Sequence, residues 1–154
     1  MRKKLIIMLS VIAVLIAASV PAFAETQVIS RETEHYPDGS YAVIETVIFE
    51  NTAVPFAAAS TKSASRTYTF HRADGKAAWD FTLTGTFTYN GTTAKATKAA
   101  TSYKVYISGW TCTKNSSVSG AVAKGTGKFT YKSGSTKTVS LGLKCSANGT
   151  ITAA

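Results

Sequence analysis

The chain has 154 residues and a formal net charge of +9, with 17 Lys and Arg against 8 Asp and Glu. That length suffices for one domain with a core of its own. With two histidines, two cysteines, no phosphate-cradling glycine loop and no recognisable nucleophile turn, the composition points to no cofactor and no metal, and it argues against an enzyme.

At the start, Arg2, Lys3 and Lys4 precede an apolar run from Leu5 to Ala18 broken only by Ser10, and Pro21 leads into Ala22-Phe23-Ala24. A positive start, an apolar middle and a small-x-small box make an export signal, residues 1–24, with cleavage expected after Ala24. The run is shorter than the roughly 20 apolar residues of a spanning helix. No cysteine follows it to carry a lipid, and no second stretch approaches spanning length. The expectation is a secreted, extracellular chain with no membrane span in its mature form.

Residues 25–50 are acidic: Glu25, Glu32, Glu34, Asp38, Glu45 and Glu50 stand against Arg31. Tyr36-Pro37-Asp38-Gly39 reads as a turn between Gln27–Glu34 and Tyr41–Glu50, which predicts a hairpin. Val43, Ile44, Val47 and Ile48 also fit a helical stripe, although their β-branching favours strand. Residues 51–65, rich in Ala, Ser and Thr, read as a linker or long loop, and residues 66–154 as a basic β domain. From Ala64 onward, Asp74 and Asp80 face twelve Lys and Arg, and no carboxylate side chain follows Asp80.

Trp79 to Tyr89 alternates large or small apolar residues with Asp80, Thr82, Thr84, Thr86 and Thr88, the pattern of a half-buried antiparallel strand. Asp74-Gly75 and Asn90-Gly91 flank it as two-residue hairpin turns. The first sets Phe70 opposite Trp79, Tyr68 opposite Phe81 and Thr69 opposite Asp80. The second sets Ala94 opposite Phe87, Ala96 opposite Gly85 and Lys95 opposite Thr86. Tyr103 to Ile107 reads as a fourth strand, and Ser108-Gly109 as a break before Trp110. With Gly134-Ser135-Thr136 as the next loop, Tyr131 meets Val139, Phe129 meets Leu141, Gly127 meets Leu143 and Gly125 meets Cys145. Asn148-Gly149 marks a last turn before Ile151. Short strands with polar turns predict an all-β fold, an antiparallel β-sandwich or alternatively a small β-barrel. Cys112 and Cys145, an exported pair with no third thiol, are expected to form one disulfide.

Functional signals are few. His71 projects on the threonine side of its strand, where a pair with Asp80 is conceivable, and glycoside hydrolysis would need Asp80 to work with a second acid such as Glu45. Gly125-Thr126-Gly127 fits close sheet packing better than phosphate binding. Lys95, Lys104, Lys128, Lys132 and Lys144 all project outward, with Lys98, Lys114, Lys124 and Lys137 near loops or strand ends. With Tyr106 and Trp110 as aromatic additions, they form the candidate binding surface. Lysine also protects sheet edges, but without balancing acids it draws polyanions. The partners expected are an anionic cell-wall polymer, a glycan or a surface protein. Sequence-specific nucleic acid is not expected, because no arginine follows Arg72. A second reading is a toxin-like or bacteriocin-like protein whose acidic segment masks the basic domain until it is cut within 51–65.

The run from Trp79 to Gly91, with Trp110 and the ending Cys145-Ser146-Ala147-Asn148-Gly149, resembles a loose group of uncharacterised small secreted β-rich proteins of Gram-positive bacteria. The resemblance spans Ala64 to Ile151. It implies the fold class and a secreted location and supplies no activity.

Overall fold

Alternation along each strand leaves one apolar face per sheet, and the two apolar faces meet. The computed structural model describes residues 26–49 and 59–154. The strands are β1 Thr26–His35, β2 Tyr41–Phe49, β3 Ser60–His71, β4 Ala77–Tyr89, β5 Ala94–Val105, β6 Trp110–Ser119, β7 Val122–Tyr131, β8 Thr136–Cys145 and β9 Ile151–Ala153. They form two antiparallel sheets, β1-β2-β3-β4-β5 and β6-β7-β8-β9, an arrangement consistent with a sandwich. The expected export signal, Glu25 and Glu50 of the acidic segment, and residues 51–58 of the expected linker lie outside the described residues.

Trp79, Phe81, Leu83 and Phe87 of β4, Phe129 of β7 and Leu143 of β8 are fully buried between the sheets. Trp79 and Phe129 stack across the seam at 3.7 Å, and Phe81 meets Phe129 edge-on at 6.3 Å. Glycines let the sheets approach this closely. A Cβ on Gly127 would lie 2.8 Å from the Phe81 ring, and one on Gly125 would lie 2.6 Å from Thr101 Cγ2. The Gly-Thr-Gly run is therefore a packing device, as its strand setting predicts.

The acidic hairpin joins the main sheet, because β2 pairs with β3 along its whole length. Residues 43–48 are strand and not helix, with Ala42, Thr46 and Ile48 buried on the inner face. Strand β3 begins at Ser60, so residues 60–65, expected to end a linker, are ladder instead. Arg66 is buried on β3, where its guanidinium donates to Thr46 Oγ1 at 3.3 Å and to both Glu32 carboxylate oxygens at 3.4 Å.

The three expected hairpins form, with differences that follow from turn chemistry. Around Asp74-Gly75 the pairs Tyr68–Phe81, Thr69–Asp80 and Phe70–Trp79 are as predicted. The loop is one residue longer, closed by Arg72 N–H on Lys76 O (3.0 Å), and a bulge beside Phe70 absorbs the extra residue. After β4 the register differs from expectation: Phe87 faces Ala96, Tyr89 faces Ala94 and Lys95 faces Thr88. Asn90 Oδ1 accepts the N–H groups of Thr92 (3.0 Å) and Thr93 (2.8 Å), which moves the bend onto Gly91-Thr92. A bulge then carries the register to Thr86–Lys98, and β5 continues unbroken to Val105, so no separate strand begins at Tyr103.

In the third hairpin the register is displaced by four residues, with Gly127 facing Val139, Gly125 facing Leu141 and Ala123 facing Leu143. The bend keeps its three residues but falls two residues earlier, on Lys132-Ser133-Gly134, closed by Tyr131 N–H on Ser135 O (2.8 Å) with Gly134 at φ +93°. The second hairpin is displaced by two residues up to its bulge and the third by four, both even, so the paired side chains there keep their predicted faces. The disulfide, by contrast, is absent: Cys112 and Cys145 are free. Cys112 sits across from Phe129 on one side of β7, whereas the Cys145 N–H bonds Ala121 O at the other side and opposite end. Eight residues of strand separate those levels by about 27 Å, and a disulfide needs Cα atoms about 4.4–6.8 Å apart.

Candidate functional site

Strand β7 is central to the lysine surface. Its even-numbered residues face outward, placing Lys124, Lys128 and, at the turn, Lys132 in one exposed row. Four residues of strand separate neighbours in that row by about 13 Å. Thr126 and Thr130 lie between them, Thr113 and Thr138 flank Lys128, and Lys144 projects from β8 on the same face. The sequence from β6 to β9 contains no acidic side chain. Among the described residues the three ion pairs, Arg31–Glu45, Arg66–Glu32 and Arg72–Asp74, all use arginine.

The candidate residues do not share one surface. Lys95 and Lys104 project from β5 on the outer face of the other sheet, opposite Thr88 and Asp80. There Tyr106 donates its hydroxyl to Asp80 Oδ2 at 2.6 Å, and the Lys104 backbone N–H donates to Oδ1 at 3.1 Å. The Lys104 ammonium lies 5.0 Å from the Tyr106 ring centre. The bond to the Asp80 carboxylate holds the Tyr106 phenol above its ordinary pKa, helped by desolvation and charge. Trp110 is half-buried against Tyr131, Trp79 and Phe70, at 5.1, 6.0 and 6.3 Å between ring centres. The structure thus joins Lys128, Lys132 and Lys144 with Lys124 and sets Lys95, Lys104 and Tyr106 apart from them.

Neither hydrolytic pairing assembles. His71 stacks on Tyr41 at 4.6 Å with its Nδ1 3.1 Å from Gly75 O, while Asp80 is engaged by Tyr106 and Lys104. Glu45 lies 4.0 Å from Arg31.

The connections Tyr36–Ser40, Arg72–Lys76, Tyr106–Gly109 and Lys132–Ser135 gather around a cleft of about 400 Å³. Phe70, Ile107, Trp110 and Tyr131 wall it, and Asp38 and Arg72 stand at its rim. Asp38 accepts from the Ser40 hydroxyl at 2.5 Å and the Ser40 N–H at 3.0 Å, which lowers its carboxyl pKa. The Lys137 ammonium sits 3.1 Å from the Tyr36 ring centre and 4.3 Å from that of Phe70. Burial lowers its pKa, and Asp38 and Glu34 oppose that shift. Sequence reasoning found Trp110 here but assigned Phe70 and Tyr131 to the core and Asp38 to a turn. The available signal was that these turns fall at the same end of successive hairpins.

No protein family, curated protein or solved structure matches the chain.

Proposed function

We propose that this chain is a secreted, non-enzymatic binding module that captures an anionic polymer on the outer face of its four-stranded sheet. One observation carries the reading: Lys124, Lys128, Lys132 and Lys144 share an exposed, hydroxyl-rich strand face with no carboxylate on it. Such a field attracts polyanions over a distance set by salt, about 8 Å at physiological ionic strength. Lysine offers point charges without arginine's planar fork, which suits a polymer backbone and not base-specific readout. The leader-like start, Arg2 to Ala24, supports an extracellular partner such as an anionic cell-wall polymer, an acidic glycan or an acidic surface protein.

Retention of the purified protein on wall polymer, acidic-glycan and neutral-glycan matrices across a salt series tests this. The expected outcome is retention on the anionic matrices at low salt and release as salt rises, because counterions are displaced on binding. Replacing Lys124, Lys128 and Lys132 with serine should abolish most retention, whereas replacing Lys95 and Lys104 should change little. Equal loss in both variants would mean that net charge, and not this face, governs binding.

A further inference from the structure

The end cleft has a chemistry different from that of the lysine face, and it stands independently of it. Four side chains, Phe70, Ile107, Trp110 and Tyr131, make its walls apolar, while Asp38 and Arg72 bring one negative and one positive charge to its rim. Asp74 lies 3.9 Å from Arg72, and the Lys137 ammonium acts on Asp38, so two acids meet two bases and the rim has no preference for an anion. It instead offers an acceptor-only carboxylate, Asp38, and a donor-only guanidinium, Arg72, on the same cleft. A pyranose ring meets both requirements. Its C–H face packs on aromatic rings, and its hydroxyls, each donor and acceptor, engage the rim. We propose that this cleft binds a neutral saccharide, with Trp110 and Tyr131 as the platform and Asp38 and Arg72 as hydroxyl partners.

Size and rigidity favour this occupant. At about 400 Å³ the cleft lies near the lower end of small-molecule sites, which span roughly 300–1,000 Å³. That suits one or two sugar rings at the end of a longer chain. The platform is held in advance, since Trp110 is braced by Trp79 at 6.0 Å and Phe70 at 6.3 Å. Asp38 is likewise fixed through its Oδ1 by both bonds from Ser40, with no described partner on Oδ2. Preorganised groups lose little freedom on binding, which raises affinity.

The test uses the full chain with cellotetraose, maltotetraose, mannotetraose and chitotetraose, read by saturation-transfer NMR and tryptophan fluorescence. Saturable binding of at least one is expected, with transfer strongest to ring C–H protons. Trp110→Ala and Arg72→Ala should each weaken it about tenfold or more, as loss of a built contact to a sugar hydroxyl or face implies. Arg72 has a side chain 55% exposed, so its variant keeps the fold even where Trp110→Ala does not. The Lys124, Lys128 and Lys132 triple variant should bind the sugars unchanged. No saturable binding at millimolar sugar, or binding indifferent to Arg72→Ala, overturns the proposal.

Discussion

Replacing Gly127 with alanine probes the closeness of the two sheets. The added methyl would sit 2.8 Å from two atoms of the Phe81 ring, which is fully buried and held edge-on to Phe129. The ring cannot swing into solvent, so the strain must move β7 away from β4. Overpacking of this kind costs about 1–3 kcal/mol. Against it, alanine restricts the unfolded chain more than glycine and recovers about 0.5–1 kcal/mol. The net expectation is a loss on the order of 1 kcal/mol, which lowers the melting temperature by a few degrees in a domain of this size. Urea unfolding followed by tryptophan fluorescence reads it as a lower midpoint with an unchanged slope. Combining Gly127→Ala with Phe81→Leu should cost less than the sum of the single changes, because the smaller side chain makes room for the methyl. A Gly127→Ala protein as stable as the parent, or additive costs in the double variant, would refute the claim that Phe81 fills this space.

Alkaline titration should show Tyr106 ionising late because of Asp80, alongside Tyr36 and Tyr68, which burial raises, and Asp80→Asn should bring Tyr106 alone back toward the ordinary phenol range. The sign follows from the raised folded value: the contact stabilises fully below the unfolded phenol pKa and is lost as pH rises through the folded one. An ultraviolet titration of the two proteins compares them directly, and identical curves would contradict the bond. Thiol titration of the denatured, unreduced protein should find both cysteines free, and reductant should leave the melting temperature unchanged. Burial raises both thiol pKa values, so in the folded protein Cys145, 1% exposed, should react far more slowly than half-buried Cys112.

What could be read from the sequence was mostly which face each side chain takes. Trp79, Phe81, Leu83 and Phe87 fall inward on alternation alone, and Phe129, Leu141 and Leu143 do so even though their partners were misplaced. Facing survives because a register error of two or four residues leaves strand parity intact. Exact pairing depends on which residues occupy the bend. At Asn90 a side-chain cap on two N–H groups outweighed the simple Asn-Gly rule. Strand β6 was unread because its inner face, Trp110, Cys112, Lys114, Ser116 and Val118, is only partly apolar. Lys114 stands on that face because its ammonium reaches the Thr101 carbonyl at 2.6 Å along the β5 edge. The expected disulfide failed for a similar reason: cysteine count says nothing of the level each thiol occupies along a sheet. The cleft could not be read at all, since its walls come from three separate hairpins and the β5–β6 connection.

The uneven charge of the sequence becomes a separation in space. The acids of the first hairpin belong to β1, β2 and their turn, at one edge of the five-stranded sheet, and Glu32 and Glu45 are engaged by Arg66 and Arg31. Lys124, Lys128, Lys132 and Lys144 of the four-stranded sheet face outward on the opposite side, where no acid of their own sheet opposes them. Screening limits exposed charges to about 8–10 Å of mutual influence, so the acidic hairpin is poorly placed to mask that face. It is also structurally committed: Ala42 is fully buried and Ile48 is 8% exposed, and β2 covers the edge of β3 over nine paired positions. Removing residues 26–49 should therefore expose apolar surface and an unpaired strand edge, both of which favour aggregation. A truncated chain that stayed monomeric and bound polyanions more tightly than the full chain would restore the masking reading. A truncated chain that precipitated, while the full chain bound, would leave the hairpin as part of the fold and not as a removable mask.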